Sequence, residues 1–577
     1  MKKLISIILC LAMVFGIAII PTQAEEAAAK WDGDPVIFIQ GYTGSPLIKD
    51  KGLETEETIL GPGSEFDITK ILTALPGIVA GIVMYIFGDS SLLISSFADL
   101  AKSKLDGLAC LDDGSSKHNI TTFPYYAEEA RASTLVANGQ EIYIPEVAIT
   151  DEIRKTVPDD YFFVFNSDWR KGQIEIAERL DWFIGEVLRI TGKDKVDIYA
   201  LSHGGQTAAT YLYYHGTENE VDNVVLNVPA IQGTSIVNGL LGDGAANFSM
   251  DEISRFLSVM LRTETDLRFL GKILPGEFLN QLLKVVFVDV FQPTALRFGS
   301  IWDFMDIETY ITYKEKHLNP LLNNGIIVKA DKMHFDCMAN IGKGLRAAQA
   351  AGVNISIMSN HGTRLGSGEA IDADFVIDTS STSGAHTAAF GEHFADSYKA
   401  KHTVCSDATH NHISPSRTID ASCAYLPENT WFIQGQYHGQ AAYDSYSLSL
   451  LLKLLLTDDI TDIYSDPAYP QFETAQCPVD AIHAKFSNEI SGRFNSESDT
   501  LIIRNLSLEH TLNIRSIKAD GCEFEADGKK TVAPGEEIKI PCKGVSDESF
   551  ICIEIVFTRQ GAPLAAPFTK QVYFTAA

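Results

Sequence analysis

The stretch Val196-Asp197-Ile198-Tyr199-Ala200-Leu201-Ser202-His203-Gly204-Gly205-Gln206 decides how the chain is read. It is a short apolar run, a sharp turn carrying a serine, and the start of a helix. A tight strand-to-helix turn of this kind lifts a serine hydroxyl above the edge of a parallel sheet. Ala200 stands where glycine is common, and is still small enough for strand and helix to approach closely. A small-x-Ser-x-Gly pentapeptide alone also fits an ordinary loop serine. Its meaning depends on donor groups before it and on an acid and a histidine after it.

Upstream, Pro35 to Gln40 is an apolar, β-branched and aromatic run closed by Gly41-Tyr42-Thr43-Gly44-Ser45. Buried parallel strands read as continuous runs of this type. The glycines after it free backbone N–H groups to point into a site. The next strand is predicted at Tyr161 to Asn166, followed by Ser167-Asp168-Trp169-Arg170. A single crossover does not need the hundred-odd residues between them, so most of 46–150 is an insertion. Within it, Ile71 to Phe87 is apolar but short for a bilayer span and contains Pro76. It is expected to be a buried helix or part of a lid. Lys171 to Ile190 has a helical apolar face. Another strand is expected at Asn223 to Val228, followed by Pro229-Ala230-Ile231-Gln232-Gly233-Thr234.

Residues 235–325 read as a second, helical insertion, opened by a capping box at Ser249-Met250-Asp251-Glu252. The sheet resumes at Asn354 to Ser359 and ends with Thr430 to Gln434, before Gly435-Gln436-Tyr437-His438-Gly439 and a helix near Tyr443 to Leu456. Strands alternating with helices imply a doubly wound, mostly parallel α/β sheet. From about 480 to 577, short alternating segments suggest a separate β-sandwich. The expected organisation is 1–24 leader, 25–475 α/β domain and 480–577 sandwich.

A serine hydroxyl needs a base, and the base needs a carboxylate that fixes its tautomer. His438 has the required setting, in a glycine-flanked loop after the last strand. Asp374 heads the apolar triplet Phe375-Val376-Ile377 and is the favoured acid, with Asp372 and Asp378 as alternatives. The backbone N–H groups of Tyr42 and His203 are the expected oxyanion donors. No cofactor is called for. His402, Cys405, Asp407, His410 and His412 include zinc ligand types, but their spacing fits no standard metal pattern, and an ordered loop is expected.

Met1-Lys2-Lys3 followed by the apolar run Leu4 to Ile20 reads as a signal peptide ending at Ala24. Its removal takes away two lysines and moves the formal charge from −29 to −31. Such a chain repels nucleic acid and anionic membrane surfaces. Eight of the nine cysteines would remain. Cys405 and Cys423, and Cys522 and Cys542, are close enough in sequence to pair, and equally suit buried thiols.

The elements Gly41–Ser45, Ser167–Arg170, Ala200–Gly205 and Pro229–Gly233 resemble those of the α/β-hydrolase superfamily. Within it, the chain is similar to lecithin:cholesterol acyltransferase-like lipases and acyltransferases and to secreted bacterial lipases. The resemblance implies an oxyanion loop at Gly41–Ser45, a nucleophile at Ser202 and an acid motif that maps Asp374 onto the acid and Phe375 onto a glycine. It departs from the family at Gln40, Ser167 and Phe375. It implies a secreted serine esterase or lipase, with water or an alcohol as acyl acceptor. Alternative readings are an esterase for carbohydrate- or cell-wall-linked esters, and a non-catalytic surface or adhesion protein on a hydrolase scaffold.

Overall fold

Val36–Ile39 (β1) and Phe162–Phe165 (β2) are buried along their whole length, which is why each reads as an unbroken apolar run. In the computed structural model they lie side by side in a seven-stranded sheet. The others are Val196–Leu201 (β3), Val221–Asn227 (β4), Asn354–His361 (β5), Thr430–Gln434 (β6) and Phe472–Thr474 (β7). The order is β7-β6-β5-β4-β3-β1-β2, and every neighbouring pair is parallel. This is a doubly wound, parallel α/β sheet. The structure describes residues 31–61, 91–145, 148–237, 285, 290–365, 369–436, 438–439 and 444–475, and eight shorter segments between 490 and 575. The expected leader, the Ile71–Phe87 run and the Ser249–Glu252 capping box lie outside the described residues.

Helix α1 (Gln173–Thr191) turns Ile176, Leu180, Phe183, Ile184 and Val187 inward, and stops at Gly192 with φ 66°. Glycine takes this left-handed conformation without a Cβ clash. Helices α2 (His203–His215) and α3 (Ala339–Ala350) share its apolar core with Ile37, Phe163, Ile198 and Val224. Helix α4 (Ser445–Leu456) contacts β3 and β4 outside that core. Among the described residues, no helix is long and apolar enough to cross a membrane.

A second core joins the two insertions. Leu47, Leu60, Leu105 and Leu108 from the first meet Phe291, Phe298, Trp302 and Tyr310 from the second, and Ala373 and Ile377 belong to the same cluster. The acid segment is therefore packed into the cap. Toward the C-terminus lie two four-stranded antiparallel sheets. Leu501, Ile503 and Ile538 of one and Leu512, Val532, Ile555 and Phe557 of the other share one apolar core, a sandwich arrangement.

Cys405 and Cys423 are both free thiols, so the pairing that their proximity allowed is not made. Cys405 is instead turned toward His410, with its sulfur 3.6 Å from the ring.

Candidate active site

Ser202 closes β3 and precedes α2 with φ 59° and ψ −118°, a conformation rare for a residue with a Cβ. Such strain costs on the order of 1–3 kcal/mol and persists only where the surroundings enforce it. Here they do. The Ser202 N–H donates to the Asn227 carbonyl at 3.0 Å, and its own carbonyl accepts from Gly205 N at 2.9 Å and Ala230 N at 3.2 Å. The glycines that follow are required by contact. A Cβ on Gly204 would lie 2.5 Å from the Ile39 carbonyl oxygen, and one on Gly205 would lie 2.5 Å from Pro229 Cβ.

His438 Nε2 lies 2.8 Å from Ser202 Oγ, and its Nδ1 lies 2.6 Å from Asp374 Oδ2. Asp374 is almost fully buried. Its other oxygen, Oδ1, accepts from Val376 N at 2.9 Å and Ile377 N at 2.7 Å. The apolar triplet therefore holds the carboxylate through its backbone, leaving Oδ2 to the imidazole. Phe375 bridges this turn at φ 83°, the left-handed region that a glycine would occupy without strain.

The two alternative acids face elsewhere. Asp372 accepts from Gly362 N at 2.9 Å and from Thr379 Oγ1 at 3.0 Å, and burial pushes its carboxyl up to about 6. Asp378 accepts from Ser235 N at 2.7 Å, and burial raises it too.

The loop after β1 is held tightly against the serine. A Cβ on Gly41 would be 3.4 Å from Ser202 Cβ and 3.8 Å from its Oγ, so the loop passes directly beside the serine. Gly44 N donates to the Gly41 carbonyl at 2.9 Å, closing the turn. Gln40 Nε2 donates to Asn166 Oδ1 at 2.7 Å, and Ser167 N donates to Ser45 Oγ at 3.1 Å. The departures at Gln40 and Ser167 thus fall where β1 and β2 are tied together. His203 is the first residue of α2, so its N–H has no acceptor within the helix.

The His203 ring itself is buried edge-on against Tyr42 and tilted against Phe304. Burial pushes it down to about 3, so it stays neutral. The sequence reading of it as a backbone donor is compatible with this placement. The Tyr42 ring also packs on Trp169, and its hydroxyl lies 3.2 Å from Ser300 Oγ. Ser300 and Phe304 are supporting residues with no sequence signal, because they sit in an insertion without a recognisable motif.

The Asp-Trp-Arg element is structural. Arg170 is fully buried and forms a two-pronged pair with Asp168, at 2.9 and 2.7 Å. It also reaches the Leu108 carbonyl at 2.9 Å and Ser116 Oγ at 3.1 Å, pinning the first insertion to the sheet. Beside Trp169 lies an apolar pocket lined by Thr43, Leu105, Leu108, Phe291, Thr294 and Phe298, so both insertions build its wall.

No protein-family profile matches the chain, and no curated protein sequence matches it. Among solved structures it is similar to the lipase BlEst2 of Bacillus licheniformis in its mature form, at 15% identity over 32% of this chain and 71% of that one, with a TM-score of 0.17. It is also similar to a carboxylesterase structure from the ammonia-oxidizing thaumarchaeon Nitrososphaera gargenis, at 12% identity over 37% and 67%, TM-score 0.19. The phospholipase PlaB of Legionella pneumophila is similar at 8% identity over 78% of this chain and 87% of that one, TM-score 0.26.

Proposed function

We propose that the chain is a serine-type carboxylic ester hydrolase acting on esters with an apolar acyl chain. The observation that carries this reading is the continuous relay from Ser202 Oγ to His438 Nε2 at 2.8 Å and from His438 Nδ1 to Asp374 Oδ2 at 2.6 Å. Both distances lie within the reach that direct proton transfer needs.

In this reading, Asp374 accepts from the Nδ1–H of His438, which leaves Nε2 as a bare lone pair facing the serine. Ser202 Oγ attacks the acyl carbonyl while its proton passes to Nε2. The negative oxygen that forms is stabilised by the Tyr42 and His203 N–H groups. Collapse returns the proton from His438 to the departing alcohol and leaves an acyl group on Ser202. Water, activated by the same imidazole, then attacks that ester and releases the acid. An alcohol in place of water completes a transfer instead.

The apolar side chains that both insertions set beside Thr43 and the oxyanion loop support an apolar acyl group over a small polar one. The Lys2-Lys3 and Leu4–Ile20 pattern supports secretion, and the strong negative charge argues against a nucleic-acid substrate.

The test is hydrolysis of p-nitrophenyl esters of graded chain length by the purified protein beside Ser202→Ala. Turnover should rise from acetate to longer chains and drop by at least about a thousandfold in the variant, with its circular dichroism unchanged. Equal turnover by the two proteins would overturn the proposal.

A further inference from the structure

We infer that Cys405, His410 and His412 form a binding site for one divalent cation of the zinc type, with the Glu428 carboxylate within reach as a fourth ligand. One donor atom from each of the first three lies within 4.8 Å of the others. Their sequence spacing gave no reason to expect this, because the residues that complete the site come from elsewhere in the chain.

The decisive observation concerns His412. It is completely buried, and its Nδ1 lies 2.8 Å from Gln471 Oε1. The Gln471 amide nitrogen donates to the carbonyls of Pro427 at 2.6 Å and Thr430 at 3.2 Å. That nitrogen has to face those acceptors, so the amide oxygen has to face His412. Nδ1 therefore carries the proton, and Nε2 is left as a bare lone pair. Buried Nε2 has no hydrogen-bond partner among the described residues. Leaving a buried acceptor unsatisfied is costly, and a cation would satisfy it.

The remaining geometry fits the same ion. Cys405 Sγ lies 3.6 Å from His410 Nδ1. A tetrahedral zinc with bonds of about 2.3 Å to sulfur and about 2.0 Å to nitrogen sets those atoms about 3.5 Å apart. Glu428 Oε1 is 3.1 Å from the same Nδ1, close to the nitrogen–oxygen edge of about 3.3 Å in such a site. The outward nitrogen of His410 faces Asp407 Oδ2 at 3.6 Å. Metal-bound histidines usually hand their second N–H to a carboxylate or carbonyl oxygen; Gln471 Oε1 is that oxygen for His412, and the Asp407 carboxylate lies nearby for His410.

Binding would release the Cys405 thiol proton to solvent as the sulfur–metal bond forms. The bound ion would tie the 401–414 loop to the segments that precede β6 and β7. A structural role follows, separate from the Ser202 chemistry.

The experiment uses the purified full-length protein, stripped with a chelator and titrated with Zn²⁺ by calorimetry and with Co²⁺ by absorption spectroscopy. One equivalent should bind, Co²⁺ should give a near-ultraviolet thiolate charge-transfer band, and Zn²⁺ should raise the melting temperature. Cys405→Ser should abolish the thiolate band. His410→Ala, at a partly exposed position, should weaken Zn²⁺ binding at least tenfold and remove the thermal shift. Two other clusters, Asp181/His215/Glu218 and Asp34/Asp197/Asp222, contain no thiolate and cannot give that band. Absence of stoichiometric uptake would overturn the inference, as would uptake unchanged in both variants.

Discussion

Asp374 holds His438 at two points: its carbonyl accepts from the His438 backbone N–H at 2.9 Å, and its carboxylate meets the ring nitrogen at 2.6 Å. Loop and imidazole are thus positioned by one residue. Asp374→Asn keeps the backbone contact but places an amide against Nδ1, which favours the wrong tautomer. Turnover should fall on the order of ten-thousandfold with little loss of stability. Asp372→Asn and Asp378→Asn should each retain turnover within about tenfold, because neither carboxylate reaches His438. Ester hydrolysis by the three variants, measured side by side, checks this. A near wild-type Asp374→Asn would remove the acid from its assigned role.

The two histidines beside the serine should separate cleanly by substitution. His203 is neutral, packed on Tyr42 and Phe304, and contributes its backbone N–H in the proposed reaction. His203→Phe preserves that N–H and the aromatic packing, so turnover should stay within about tenfold. His438→Ala removes the base and should cost at least about a thousandfold. If His203→Phe were as damaging as His438→Ala, the ring would have a role that its packing does not suggest.

The legibility of the chain followed burial and sequence distance. Strands β1 and β2 could be read because strands covered on both faces need uninterrupted apolar residues, β3 to β6 because short β-rich apolar segments alternate with helical ones, and Ser202 and His438 because glycines mark the ends of two of them. Strand β7 could not. It has three residues, Phe472–Thr474, and follows Pro467 and Pro470. The acid stayed open among Asp372, Asp374 and Asp378 because all three are buried. What separates them is the hydrogen bonds from Val376, Ile377 and His438 to Asp374. The shared core of the insertions, in which Leu105 and Phe298 meet, depends on contacts across nearly two hundred residues, and no local periodicity encodes that.

Two glycines in adjoining helices should respond oppositely to alanine. Gly204, at the start of α2, faces the Ile39 and Gln40 carbonyl oxygens, where a Cβ would sit at 2.5 and 2.6 Å. These are backbone atoms at the end of β1 and just after it, and cannot swing aside. Gly204→Ala should therefore cost several kcal/mol (about 1–3 or more for overpacking) and displace the oxyanion loop, lowering turnover as well. Gly185 is exposed within α1, and an added Cβ meets nothing within 4 Å. Gly185→Ala should stabilise by about 1 kcal/mol with turnover unchanged. Denaturant melts of both variants, with ester assays, test the pair. Equal effects would contradict the close packing at the elbow.

Asp303 gives a pH prediction whose sign can be fixed. It is fully buried at the start of α1, accepts from Gln173 N at 2.6 Å, and burial pushes its carboxyl up to about 7 from an ordinary 3.8. Below 3.8, folded and unfolded states both hold the proton and its contribution is intact. Above that, the unfolded chain releases the proton first, and stability is lost as pH rises towards 7. Asp197, also raised to about 7 by burial, acts in the same direction. Buried His203 and His361, both pushed down to about 3, and His334, down to about 4, oppose it. The unfolded chain binds their protons below about 6.5. Groups of both kinds overlap in this window, so the diagnostic quantity is a difference between two proteins. Asp303→Asn keeps an oxygen for the Gln173 N–H and has no proton to lose. Its stability relative to the parent should increase from pH 4 to 7, by up to about 1.4 kcal/mol per pH unit for one fully linked proton. Urea melts at pH 4, 5.5 and 7 measure that difference, and a constant offset across the three would show that Asp303 is ionised in the fold throughout.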